Sequence, residues 1–272
     1  MNRIGVGAFA VLLALPSLAG AQADNRAAAR ELVRKWQDAI VNVRVTLKLR
    51  MSMGGREMNA SDDAVDTVGT VIDPSGLTVL SLGALNPGAM MNKIMGAAMQ
   101  GGQDRPQLSS EPTDVKIRTA DGREVPAKIV LRDEDLDLAF LMPTAKVEKP
   151  LVSINLADAT RPALLDEVVV LSRLGRVGGW TPAASLHNIS AIIEKPRTFF
   201  VTEASTGSGG AAMGTPAFLP NGKVVGLLTL RSVDPGRASM MAMLGGTEGF
   251  GLLPVILPAA DVLEVARQAM GK

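Results

Sequence analysis

The sequence predicts an all-β protein with a helix at each end, and three observations carry that prediction. Short runs of Val, Leu and Ile alternate with polar residues in the period of two that a half-buried strand requires. Turn-forming clusters punctuate them, namely Asp73-Pro74-Ser75-Gly76, Asp121-Gly122 and Pro220-Asn221-Gly222. Helical periodicity is confined to the flanks. Many short strands with such turns pack as barrels or sandwiches.

Residues 26–38 read as the first helix, Ala-rich, with Leu32 and Trp36 four apart on one stripe. Ala39–Leu49 then alternates Val41, Val43, Val45 and Leu47 against polar neighbours. Further strands are expected at Thr67–Ile72, Thr78–Leu82, Val115–Thr119, Glu124–Leu131 and Leu138–Pro143. A second set is expected at Glu167–Ser172, Ser185–Ile193, Phe199–Glu203, Pro216–Leu219 and Val224–Leu230. Pro258–Met270 closes the chain as an amphipathic helix with Val262, Val265 and Ala266 on one face. Met51–Asp63, Asn86–Asp114 and Ser232–Gly249, rich in Gly, Ser or Met, read as irregular.

The N-terminus has the three parts of a secretory signal. Arg3 lies in a basic start, Ile4–Leu18 is apolar, and Ala21-Gln22-Ala23 offers a small-residue cleavage site. Cleavage after Ala23 leaves about 250 of the 272 residues, in the bacterial periplasm or outside the cell, with no transmembrane segment in the mature chain. That length divides into an N-terminal helix (24–38), a first β-unit (39–147) and a second β-unit with the closing helix (148–272), parted near Lys146–Pro150. A net charge of +1 gives no basis for binding nucleic acid. With no cysteine, disulfides and thiolate chemistry are excluded, and the core alone must stabilise the exported fold.

Several motifs in this order resemble the HtrA/Deg branch of the trypsin-like serine proteases. Gly69-Thr70-Val71-Ile72-Asp73-Pro74-Ser75-Gly76-Leu77 is similar to the strand-turn-strand leading to the family's catalytic histidine. Asp121-Gly122-Arg123 through Val130 is similar to the hairpin before the catalytic aspartate, and Asp137-Leu138-Ala139-Phe140-Leu141 to the motif that carries it. Val201-Thr202-Glu203-Ala204 resembles the strand before the serine loop, and Gly214-Thr215-Pro216-Ala217-Phe218 through Gly226 the segment after it. Gly249–Pro254 resembles the strand entering the last helix. The resemblance implies two six-stranded antiparallel barrels of the chymotrypsin type, covering most of 37–268, with no PDZ module following.

The same resemblance implies a dismantled catalytic site. It puts the histidine position at Gly83 and the serine position at Met213, leaving Asp137 as the one match. A hydroxyl nucleophile needs a base within hydrogen-bond reach, and glycine supplies none. Ser208, in Gly207-Ser208-Gly209-Gly210, is an alternative nucleophile for a divergent active serine endopeptidase, but it too needs a base. His187, the single histidine, falls in a second-unit strand and reads as structural. Asp133-Glu134-Asp135 lacks EF-hand spacing and reads as a solvated turn, and the Gly207–Gly210 stretch lacks the Lys-Ser/Thr of a phosphate loop.

The chain has 14 methionines, and they cluster. Met51, Met53 and Met58 lie in the first irregular segment, Met90, Met91, Met95 and Met99 in the second, and Met240, Met241 and Met243 in the third. Three readings stay open: packing, a deformable apolar surface for polypeptide, or thioether ligation of Cu(I). The expectation is an exported pseudoprotease that binds polypeptide or a partner protein, with Met90, Met91, Met95, Met213, Met240, Met241 and Met243 lining the cleft. Backbone N–H groups near Ala211 and Met213 would form part of an oxyanion-type pocket. No cofactor and no dedicated metal centre is called for.

Overall fold

The computed structural model describes residues 19–89, 92, 107–203, 213–232 and 252–271. Helix α1 (Ala19–Trp36) starts ahead of the expected helix and runs through a 3-10 turn, Gln37–Ala39, into the first strand. It buries Ala29 and Leu32, and Trp36 stacks on Phe218 with ring centroids 6.4 Å apart, which docks the helix on the C-terminal half.

Six strands follow: β1 (Ile40–Met53), β2 (Arg56–Val71), β3 (Thr78–Ser81), β4 (Gln107–Arg118), β5 (Glu124–Asp133) and β6 (Leu138–Pro143). They close into an antiparallel barrel in the order β1-β2-β3-β6-β5-β4. A short helix, α2 (Leu82–Leu85), sits between β3 and β4. The second barrel comprises β7 (Glu167–Arg173), β8 (Pro182–Ile193), β9 (Phe199–Thr202), β10 (Pro216–Phe218), β11 (Val224–Ser232) and β12 (Leu252–Pro258). Its order is β10-β11-β12-β9-β8-β7. Helix α3 (Ala259–Ala269) buries Val262, Val265 and Ala266, as its periodicity predicts.

Each barrel has its own interior. Val41, Val43, Val45 and Leu47 of β1 fill the first with Leu80, Ile117 and Leu141. Val168, Val170, Phe200 and Ile256 fill the second. A third, larger cluster lies between them and under both terminal helices, including Phe140, Phe199, Phe218, Leu257 and Val262. Burying these side chains is the main stabilising term, about 25 cal/mol per Å² of apolar surface.

The first two irregular segments need correction. Met51–Asp63 is strand, because β1 and β2 continue beyond the barrel as one hairpin, with Met53 paired to Arg56. Gly54 and Gly55 form its turn with φ of 58° and 77°, a left-handed pair that two glycines adopt without steric cost. Residues 107–114 are strand too, paired along β1 from Thr46 to Ser52. These stretches lack alternation because the arm lies past the core and both its faces meet water. Of the third segment, residues 233–249 lie outside the described residues.

Polar contacts lock the barrels together. The Arg173 guanidinium of β7 donates to three backbone carbonyls, those of Gln37 (2.7 Å), Trp180 (3.0 Å) and Ile40. Asp66 of β2 accepts from Arg44 of its own barrel at 3.0 Å and from Arg176 of the β7–β8 connection at 2.5 Å. Burial alone would push the Asp66 carboxyl up. The hydrogen bonds and charges of Arg44 and Arg176 outweigh that and hold it below the usual carboxylate range. A carboxyl depressed in the folded state stabilises above its unfolded pKa, and that contribution fades as pH falls through the folded value. Stability should therefore drop on acidification below about pH 4, and Asp66→Asn should flatten that part of the profile. Urea midpoints measured from pH 7 to pH 3 check this, and equal slopes for both proteins would refute it.

Candidate functional site

The site lies where the β3 and β6 ends of the first barrel meet the β10–β11 end of the second. Asp137 closes the β5–β6 turn, in which the Asp133 carboxylate accepts the Leu136 N–H at 2.9 Å. Asp137 has a φ of 57°, a left-handed conformation that aspartate adopts more readily than most residues. Its main chain is pinned by the Leu82 N–H, which donates to its carbonyl at 3.0 Å.

The carboxylate of Asp137 gathers donors from both barrels. Ser81 Oγ donates to Oδ2 at 2.6 Å and the Gly83 N–H to Oδ1 at 2.8 Å. From the second barrel the Leu230 N–H of β11 reaches Oδ2 at 3.4 Å. A Cβ placed on Gly83 would lie 3.4 Å from Asp137 Oδ1 and 3.5 Å from Ser81 Oγ, ordinary contact distances. Position 83 thus faces the carboxylate, has room for a Cβ, and carries none.

Met213 and Gly214 form the turn that enters β10. Met213 is buried, at 7% exposure. The Gly214 N–H donates to the Leu228 carbonyl at 2.7 Å, and the Leu228 N–H donates to the Thr215 carbonyl at 2.9 Å. Across the seam, Thr70 Oγ1 of β2 donates to the Gly214 carbonyl at 2.7 Å in a buried setting. Gly214 has a φ of 83°, and a Cβ there would stand 2.8 Å from Leu80 Cα and 2.9 Å from Ser81 N. Both conformation and space demand glycine, so the turn beside Met213 seats directly on the strand end that holds Ser81.

The structure thus brings Gly83, Asp137 and the Met213–Gly214 turn to one seam. His187 lies on β8, where its Nε2 is 2.7 Å from Ser185 Oγ. Burial lowers its pKa, and the nearby Glu203 charge opposes that shift. Asp135 of the acidic turn lies 3.7 Å from both Arg197 and Arg231 of the second barrel. Ser208, Ala211, Met90, Met91, Met95, Met240, Met241 and Met243 lie outside the described residues. Met51, Met53 and Met58 stand on the arm, 45%, 46% and 65% exposed. Among the described residues no three His, Asp or Glu side chains converge as a metal site, and no helix is long and apolar enough to cross a membrane. Ser81 and Thr70 went unnoticed in the sequence, since a hydroxyl in a strand gives no signal of what it faces.

Two closed six-stranded barrels with an aspartate at their junction define the chymotrypsin-like class of peptidase folds. The family model described as trypsin-like peptidase domain matches residues 96–227. Among solved structures, the chain is similar to a serine-to-alanine variant of the HtrA-type protease AlgW with tripeptide (16% identity, TM-score 0.54, 88% of this chain and 62% of that one). It is similar to the serine endoprotease from Yersinia pestis (17%, 0.55, 90% and 67%) and the MamO protease domain from Magnetospirillum magneticum in its apo form (16%, 0.50, 85% and 97%). No curated protein matches it by sequence. Residues 96–227 thus match the trypsin-like peptidase domain model, and the chain resembles HtrA-type proteases in fold, spanning about three-fifths of the AlgW chain.

The seam predicts a stability effect. Thr70→Val removes the one side-chain donor to the Gly214 carbonyl and leaves that buried oxygen short of a partner, at a cost of about 1–3 kcal/mol. Chemical denaturation should show that loss, with Thr70→Ser close to wild type. A Thr70→Val protein as stable as the wild type would refute the role.

Proposed function

We propose that this protein is an exported pseudoprotease that binds polypeptide in the interbarrel cleft without cutting it. The observation that carries the proposal is the pairing of an ordered Asp137 carboxylate with a bare Gly83. An orienting carboxylate works through an imidazole, and the position beside it holds only hydrogen. At the serine position Met213 presents a thioether, which has no proton to give to a base and attacks no amide. His187, on β8 with Ser185 as its partner, belongs to another part of the second barrel.

Binding without turnover fits the rest of the seam. The turn at Met213 is fixed by Gly214, and Met213, at the position the resemblance assigns to the serine, places a buried apolar thioether there. A solved neighbour of this fold, the AlgW variant, is described with a tripeptide. The signal-like N-terminus and the absence of cysteine support a periplasmic or extracellular setting.

Intact-mass analysis after fluorophosphonate treatment, beside an active protease of the same fold, tests the catalytic half. No adduct is expected while the control labels fully, and an adduct at Ser208 would identify a divergent serine endopeptidase instead. The binding half predicts saturable association of a permanently unfolded, fluorescently labelled polypeptide, weakened at least about tenfold by Met213→Asp. Hydrolysis of the polypeptide, or unchanged affinity in a folded Met213→Asp protein, would contradict the reading.

A further inference from the structure

The arm built from β2, β1 and β4 projects past the barrel, and its two outer edges are treated differently. The β4 edge is closed step by step. Asn92 does what a neighbouring strand would do at Leu108, accepting its N–H at 2.9 Å and donating to its carbonyl at 2.7 Å. Ser110 Oγ donates to Asn86 Oδ1 at 2.7 Å and accepts the Gly88 N–H at 3.3 Å. Pro112 has no N–H to offer, and Lys116–Arg118 pair with β5.

Among the described residues the β2 edge has no such cover. From Arg56 to Ala64, nine residues in succession are exposed; Met58 is the extra residue of a bulge, and the others pair with β1. β3 joins β2 only at Thr70 and Val71. Among the described residues no side chain caps this stretch; of the devices that blunt an edge it has the Met58 bulge and four charges, but no proline or lysine. In an antiparallel pair every second residue of the outer strand points its N–H and carbonyl away from its neighbour. Asn59–Ala64, the unbroken run beside the Met58 bulge, spans about 20 Å, enough for about three such pairs in a row.

Charge selects the occupant. The stretch carries Glu57, Asp62 and Asp63 against the single Arg56, and among the described residues none of these three carboxylates is in an ion pair. Lys48 stands opposite Asp62 in the β1–β2 register without pairing to it. A second copy fits poorly. An antiparallel second copy would set three more carboxylates and one arginine along the same edge, and like charges brought opposite each other are destabilising.

We propose that the Arg56–Ala64 edge of β2 accepts an extended, basic segment of another polypeptide as an added strand. Main-chain hydrogen bonds supply the register, and lysine or arginine at alternate positions answers Glu57 and Asp62, which share a face because their β1 partners Ser52 and Lys48 do. This site is separate from the cleft, so it stands or falls on its own.

The test uses the full chain and a labelled nine-residue peptide alternating lysine with threonine, followed by fluorescence anisotropy at low and high salt. Saturable binding that weakens with salt is expected. Asp62→Lys/Asp63→Lys should lose at least about tenfold in affinity, as should a peptide N-methylated at alternate residues, while Met213→Asp should bind as wild type. No saturable binding would overturn the proposal. So would equal affinity for the N-methylated peptide, which would mean charge attraction without strand pairing. A dimer in sedimentation that Asp62→Lys/Asp63→Lys dissolves would assign the edge to a second copy instead.

Discussion

The Asp137 carboxylate is the constraint on which the site depends. A part-buried carboxylate must be matched by donors or lose more in desolvation than it gains. Here the donors come from both barrels, through Ser81, the Gly83 main chain and the Leu230 main chain. One group thus ties the end of β3, the turn after it and β11 into a single geometry. Thr70 and Gly214 add a second tie a few residues away, and the Met213 turn is set by both.

Under the proposed reading, that arrangement lets the fold stand without the catalytic groups. The seam is held by main-chain donors, one serine and one threonine, none of which requires a histidine or a nucleophilic serine. Asp137 keeps a structural role with Gly83 beside it. The barrels, their shared core and the Arg173 and Asp66 contacts depend on neither an imidazole nor a nucleophilic hydroxyl. Apart from the seam, the arm carries its own surface, acidic and open along β2.

The barrels were legible in the sequence because their strands alternate over a core: β1 from Val41 to Leu47 buries the residues its period marks. The closing helix was legible for the same reason, through Val262, Val265 and Ala266. Past the core the signal fades. Met51–Asp63 pairs as strand with no buried face to impose a pattern, and it was read as irregular. The strand β12 was visible only through resemblance, since Leu252–Pro258 is nearly all apolar and carries no alternation. At the site, Gly83, Asp137 and Met213 could be placed by counting from motifs. Ser81, Thr70 and Arg173 could not, because their partners lie across the fold and nothing in their neighbours encodes that meeting.

The central claim is that the frame of a serine peptidase persists around missing chemical groups, and restoring those groups tests it most directly. A Cβ at position 83 would lie 3.4 Å from Asp137 Oδ1, an ordinary contact, and the backbone there needs no left-handed conformation. The measurement is fluorophosphonate labelling of the Gly83→His/Met213→Ser protein, read by intact mass and peptide mapping. The account predicts an adduct at position 213 that forms faster than in Met213→Ser alone. A folded double variant that labels no faster than the single one would mean that the seam does not hold the geometry described.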